Sequence, residues 1–292
     1  MTVPPDVPEL SVVICTWNRA ALLRDCLDSL LEQDLPATRY EVLVVDDGST
    51  DDTVAVTAAA AGTPGAATVR HLLQPHAGQP AARNRGLAEA RGRVVHFFDD
   101  DELAPPDLLR RILQELDADP SLAGVGGPYR DRGGSLPTCR RCSLADAGLS
   151  KDRDRRHLAE RLLGGNMAVR AEVFRKVGGF DPDLAGRGDD TEWFHRAHGH
   201  RFLFDPDLWV WHRRDQLGPL GLVRHGFVQG TAIPLSVQRQ GKPYRPKPAR
   251  IPRYLLHALR RRCAKGLWLA ARDTGCVLGW LRLRWAGTQS RA

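Results

Sequence analysis

Apolar residues in the first third of the chain fall into short runs that alternate with stretches of helical spacing. Leu10-Ser11-Val12-Val13-Ile14-Cys15 is a β-branched run and predicts a first strand. Leu22, Leu23, Cys26, Leu27, Leu30 and Leu31 then recur at helical spacing, with Asn18 available as the helix cap. The pattern next predicts a strand over 41–45, an Ala-rich helix ending at Ala61, a strand over 67–72, a helix over 79–90 and a strand over 93–98. This alternation implies an α/β fold with a Rossmann-like, mainly parallel sheet and helices on its faces. Further on, the spacing predicts a helix from Pro105 to Leu116, a strand over 121–127 and a short helix over 171–177 stopped by Gly178-Gly179. A helix opening at Gly188-Asp189 and a strand-like stretch over 208–212 follow. Residues 129–157 are rich in Gly, Arg and Asp with weak periodicity, and are expected to form a mobile loop.

Polar clusters punctuate this pattern at strand ends. Val94-Val95-His96-Phe97-Phe98 runs straight into Asp99-Asp100-Asp101-Glu102. In an open α/β sheet, ligands bind beyond the carboxyl ends of the strands. Four adjacent carboxyls repel one another, and a hard divalent cation is a natural counter-charge. A solvated acidic helix start is the plainer alternative. A second cluster, Asp46-Asp47-Gly48-Ser49-Thr50-Asp51-Asp52, follows the second strand, where Asp46, Ser49 and Asp51 could equally serve as helix caps. A third is Asp189-Asp190.

Charge changes the picture of the tail. The net charge is +7, yet residues 240–292 hold 13 Lys/Arg against the single acid Asp273. A mildly acidic body therefore carries a strongly basic end, which suits an anionic membrane surface better than nucleic acid, because no nucleic-acid motif accompanies it. Leu256, Leu259, Cys263, Leu267 and Ala270, extended by Val277, Leu278, Leu281 and Trp285, are expected to make one apolar stripe beside Arg261, Lys265 and Arg272. Docking of this helix on the catalytic domain is the alternative. The expected organisation is a disordered leader over 1–9, a catalytic domain over 10–239, a stiff Pro-rich linker over 240–252 and a basic amphipathic helical tail over 253–292. Six cysteines are scattered, and only Cys139 and Cys142 form a Cys-x-x-Cys pair, read as reduced or redox-active but without the second pair a zinc site needs. The opening lacks an apolar leader and no apolar run reaches membrane-spanning length. A cytoplasmic protein, peripheral at the inner face of the plasma membrane, is the expectation.

The motifs in order resemble the family 2 glycosyltransferases, which have the GT-A fold. The carrying pieces are Ser11 to Arg19, Val44 to Asp51, Ala82-Arg83-Asn84-Arg85-Gly86-Leu87, Phe98 to Asp101, Gly165-Asn166-Met167, Val177 to Asp181 and Gly188 to Glu192. The resemblance implies an inverting hexosyltransferase that uses a nucleoside-diphosphate sugar, a UDP-sugar foremost, with Mg2+ or Mn2+. The acceptor would be a hydroxyl group on a lipid-linked or cell-envelope glycan, with a soluble natural product or peptide, or a non-catalytic binding role, as alternatives. By the same resemblance, Asp99 and Asp101 form the Asp-x-Asp metal element, with Asp99 or Asp100 towards the ribose or the metal, and His212 completes the metal shell. Asp47 would accept a hydrogen bond from the base, with Thr16 and Asn18 lining that pocket and Arg83 and Asn84 opening onto the donor. Gly165 and Asn166 would allow close backbone approach to substrate, and Trp193 would offer a stacking face or belong to the core. Asp190 maps to the general base, while Asp189 stands where the family usually has Glu.

Overall fold

The computed structural model describes residues 7–131, 155–184, 188–213, 219–261 and 264–289, and the chain divides into two compact units. In the first unit the described residues are 7–131, 155–182 and 196–213, and in the second they are 183–184, 188–195, 219–261 and 264–289. Expectations for residues 1–6, for the stretch 132–154 and for Cys139 and Cys142 lie outside the described residues.

The first unit opens β1 (Leu10–Thr16), α1 (Ala20–Leu31), β2 (Tyr40–Asp46), α2 (Thr53–Ala61), β3 (Thr68–Leu73), α3 (Gln79–Glu89) and β4 (Val94–Asp99). The alternation read from the sequence is present with its boundaries shifted by a residue or two. The chain is already anchored at Glu9, whose N–H donates to Arg39 O at 2.8 Å and whose carboxylate pairs with Arg39 and Arg93. After β4 come β5 (Glu102–Leu103), α4 (Leu108–Ala118), β6 (Leu122–Gly126), β7 (Tyr129–Asp131), β8 (His157–Ala159), β9 (Asn166–Arg170) and α5 (Ala171–Val177). Next in the chain is α6 (Asp189–Arg196), which belongs to the second unit up to His195, and the first unit then closes with β10 (Arg201–Phe204) and β11 (Val210–His212).

One eight-stranded sheet has the order β3-β2-β1-β4-β9-β6-β10-β8. β9 runs antiparallel to both β4 and β6, and β8 antiparallel to β10, while the remaining pairings are parallel. The sheet is therefore mainly parallel, as its apolar runs imply. Side-chain alternation along the strands supplies two faces. Val12, Ile14, Val42 and Val44 share a core with Leu23, Leu27 and Leu30 of α1 and Leu109, Ile112 and Leu116 of α4. On the other face, Val13 and Val45 meet α3 at Gly86, and Phe97 packs edge-on against Phe174 and Phe180.

A second sheet, β5-β11-β7, has three short strands. It places Trp211 opposite Leu103 and His212 opposite Glu102. Sequence periodicity gave no sign of β5, because two residues that include a carboxylate carry no strand pattern. β8, β9 and β10 were equally unmarked, being short or carrying polar residues at buried positions, such as Asn166. The helix expected from Pro105 begins at Leu108 instead, and the carbonyls of Pro105 and Pro106 bond back to Gln33 and Asp34.

The second unit contains α7 (Pro219–Arg239), α8 (Arg250–Arg261) and α9 (Ala264–Gln289). α7 holds Gly226, Gly230 and Pro234, breakers that hid it from the periodicity analysis. α9 lies closely along α7. A Cβ at Gly230 would meet Arg272 O, and one at Gly275 would meet Phe227 O. The single apolar stripe expected across the tail is broken. The tail forms two helices, one of the two arrangements expected, and Ala270 is buried whereas Leu256 and Leu259 on α8 and Leu278 and Leu281 on α9 are exposed. Asp273 is buried beside Arg272 at 3.1 Å. Among the described residues no helix is long and apolar enough to cross a membrane.

The tight contact of α3 with the sheet gives a test. Replacing Gly86 by Ala drives a methyl group into Val13 and should lower the free energy of urea unfolding by about 1–3 kcal/mol, the usual cost of overpacking.

Candidate active site

The acidic run after β4 is not a solvated loop, because its four carboxyls are separated into distinct environments. Asp100 is buried, accepting from Thr16 Oγ1 at 2.8 Å and from Arg19 Nη1 at 2.6 Å. Burial pushes its carboxyl up to about 7, against the pull of Arg19. Asp101 accepts from Arg19 Nη2 at 2.6 Å through Oδ2, and its Oδ1 lies 3.7 Å from His212 Nε2. Burial works to raise the Asp101 carboxyl, but His212 and Arg19 outweigh it and leave it below the usual range. Glu102 is fully buried, and burial, with Asp99 and Asp101 nearby, holds its carboxyl well above that range. Asp99 is the most open, taking a hydrogen bond from Gln79 Nε2 at 3.3 Å with Arg83 Nη2 at 3.6 Å.

The second sheet produces the Asp101–His212 juxtaposition. Pairing of β5 with β11 sets His212 beside Glu102, and the Arg213 N–H donates to Asp101 O at 2.9 Å. Gly165 has a steric reason to be glycine, since a Cβ there would strike Asp99 Oδ2 and come within 2.6 Å of Glu102 Oε1. Its N–H donates to the Tyr129 hydroxyl at 3.0 Å.

At the ends of β1 and β2 the picture departs from expectation. Thr16 is buried and donates its hydroxyl to Asp100. Asp47 Oδ1 accepts from Ala77 N and Gln74 Nε2 and its Oδ2 from Gly78 N, all at 2.7–2.8 Å, with His76 Nδ1 also 2.8 Å from Oδ2. That carboxylate closes the 74–78 loop. Asn18 is exposed with φ +53° and does not cap α1; its Oδ1 accepts from Thr50 N at 2.7 Å and ties the two strand ends together. Asp51 does the capping, accepting from Ala20 N at 2.9 Å and Thr53 N at 3.2 Å. The residue missed by sequence reasoning is Trp17. It is 48% exposed and stacks on His76 with ring centroids 4.3 Å apart. A large aromatic directly after a strand end, between Thr16 and Asn18, was the available signal.

Other expected binding residues make bonds and contacts within the protein. The Arg83 guanidinium is buried between Phe97 and Phe180 and donates to Gly164 O at 3.0 Å, so it is not a solvated helix residue. Asn84 clips the backbone of Phe180 with bonds of 2.8 and 2.7 Å. Asn166 is buried, donates to Leu208 O at 2.7 Å and Gly127 O at 3.3 Å, and faces His96 Nε2 at 3.2 Å. In the second unit, Trp193 is fully buried and offers no open stacking face. Asp190 is half-buried in the first turn of α6, its Oδ1 accepting from Thr191 N at 2.7 Å.

Asp101 and His212 supply the carboxylate and imidazole chemistry that a divalent cation accepts. Their 3.7 Å separation lets both oxygen and nitrogen reach one ion at about 2.0–2.2 Å. No group of three or more such side chains is gathered for a metal among the described residues.

Comparison with known proteins agrees with this architecture. The family model described as glycosyl transferase family 2 matches residues 11–178, more than half of the chain. Glycosyltransferase AglE of Haloferax volcanii is 28% identical over 218 residues, covering 73% of this chain and 70% of its own. An undecaprenyl-phosphate 4-deoxy-4-formamido-L-arabinose transferase of Sodalis glossinidius is 33% identical over 130 residues, covering 43% of this chain and 39% of its own. Among solved structures, a mannosyltransferase from Pyrobaculum calidifontis, in complex with GDP-Man and Mn2+, superposes with a TM-score of 0.65 at 23% identity. That match covers 99% of this chain and 83% of the other, and shows the GT-A-like fold.

The His96–Asn166 pair behind the site makes folding sensitive to acid. Burial holds the His96 imidazole down to about 4, against a partly opposing bond to Asn166. The unfolded chain therefore takes up this proton first on acidification. The stabilisation is complete above about pH 6.5 and is lost as the pH falls towards 4. Melting temperatures across that window should fall more steeply for the wild type than for His96→Gln.

Proposed function

The chain belongs to glycosyl transferase family 2, and on that premise we propose that it is a metal-dependent, inverting glycosyltransferase. It moves a sugar from a nucleoside-diphosphate sugar, a UDP-sugar in this reading, to a hydroxyl group on a lipid-linked or cell-envelope glycan. The observation that carries the proposal is the Asp101–His212 pair at the carboxyl edge of the sheet. One carboxylate and one imidazole, completed by diphosphate oxygens, follow the way hard cations are shared between protein and substrate phosphates. A Mg2+ or Mn2+ ion held there neutralises the charge that builds on the leaving diphosphate.

This chain's residues divide the remaining work. Asp101 and His212 hold the cation, and Asp99, the most open carboxylate of the run, faces the donor beside Gly165. The exposed Trp17 ring, propped on His76, offers a flat apolar face for the base, while Asp47 fixes the loop that carries His76. Asp190 is the general base, taking the acceptor hydroxyl's proton as that oxygen attacks the anomeric carbon opposite the diphosphate. The lipid-linked acceptor is supported by the named substrate of the Sodalis relative and by α8, where exposed Leu255, Leu256 and Leu259 accompany exposed Arg250 and Arg253. Exposed leucines beside arginines on one helix suit an anionic bilayer surface.

Three outcomes are expected. A thermal-shift screen of nucleotide sugars should find a donor that raises the melting temperature more with Mn2+ than without, and no stabilisation by any donor would remove the proposal. With that donor, Asp190→Asn should keep the thermal shift while transfer falls by about 10²-fold or more. Deleting residues 251–292 should abolish co-sedimentation with anionic vesicles, and unchanged sedimentation would exclude the tail as the membrane contact.

A further inference from the structure

We propose that Arg19 is a built-in counter-ion that competes with the divalent cation for Asp101, so that metal binds tightly only together with the donor diphosphate. The inference rests on the reading of Asp101 as a metal ligand.

A single guanidinium serves two adjacent carboxylates. Arg19 Nη1 lies 2.6 Å from Asp100 Oδ1 and Nη2 lies 2.6 Å from Asp101 Oδ2. The Arg19 side chain is 41% exposed, against 4% for Asp100 and 15% for Asp101, so it reaches inward from the rim onto sheltered partners. Its backbone is fixed, since Arg19 O accepts the first bonds of α1 from Leu22 and Leu23 at 3.0 Å. The side chain can therefore leave without disturbing the fold. The other arginine at the acidic run cannot: Arg83 is buried between two phenylalanines and bonded to Gly164 O.

A guanidinium on Oδ2 of Asp101 opposes a dication approaching Oδ1 of the same carboxylate through short-range Coulomb repulsion. A nucleoside diphosphate brings the missing negative charge. It can accept the Arg19 fork bidentately and share the cation with Asp101 and His212, which relieves the conflict. Metal and donor thus bind with positive coupling, and the coupling is reciprocal. Arg19 acts here as a positioning residue, through Asp101.

The test is calorimetric titration of Mn2+ into the full-length protein, first alone and then with saturating UDP, with GDP run in parallel. The proteins are the wild type, Arg19→Gln, Arg19→Met, Arg19→Lys and Asp101→Asn, each checked for native melting behaviour. Without nucleotide, the two neutral Arg19 variants should bind Mn2+ about tenfold more tightly than the wild type, and Arg19→Lys should behave as the wild type. Nucleotide should tighten Mn2+ binding strongly in the wild type and much less in the neutral variants. Equal or weaker donor-free Mn2+ binding in both neutral variants overturns the inference while leaving the metal site standing, provided Asp101→Asn loses the ion. Unchanged Mn2+ binding in Asp101→Asn places the ion elsewhere and overturns both the metal reading and this inference.

Discussion

The structure depends on keeping four consecutive carboxyls apart. In a sheltered site, like charges this close cost more than folding can spare, so each must be paired, protonated or exposed. All three solutions are used at once. Asp100 and Asp101 share Arg19, Glu102 is buried with burial holding its carboxyl well above the usual range, and Asp99 stays partly open beside Arg83. The run thereby becomes a gradient from hidden to available carboxylates.

Several residues that suggest substrate recognition in the sequence also hold the framework around that run. Thr16 holds Asp100 in place, and Gly165 makes room for the Asp99 and Glu102 carboxyls. Arg83 ties the 164 loop to the back of the sheet, while Asn84 and Asn166 satisfy backbone groups of loops that lack regular partners. Buried backbone polar groups require such partners, and short amides provide them where no strand passes. Asp47 does the same for the 74–78 loop. Trp17, with no polar atom in those networks, is left exposed on His76.

The helical unit follows a different logic. Gly230, Gly275 and Gly279 let α7 and α9 approach until backbone meets backbone. That contact buries Ala270 and Cys276 and leaves the leucines of α8 outside. The basic charge of this region therefore accompanies an exposed apolar surface, not a buried one.

Sequence alone determined the alternation of strands and helices, the two-faced parallel sheet and the three acidic clusters at element ends. These rest on local periodicity and on the chemistry of adjacent residues, which a chain displays without folding. Placing Asp99 and Asp101 at a strand end belonged to the same order of information. What the tertiary structure decided was which polar residues remain available. The pairing of a two-residue strand with Val210–His212 set His212 against Asp101, and no periodic signal announces so short a strand. Hydrogen bonds across distant segments engage Thr16, Asp47, Arg83, Asn84 and Asn166. A side chain's spare bonding capacity is a property of its neighbours in space, and the linear pattern does not contain those neighbours.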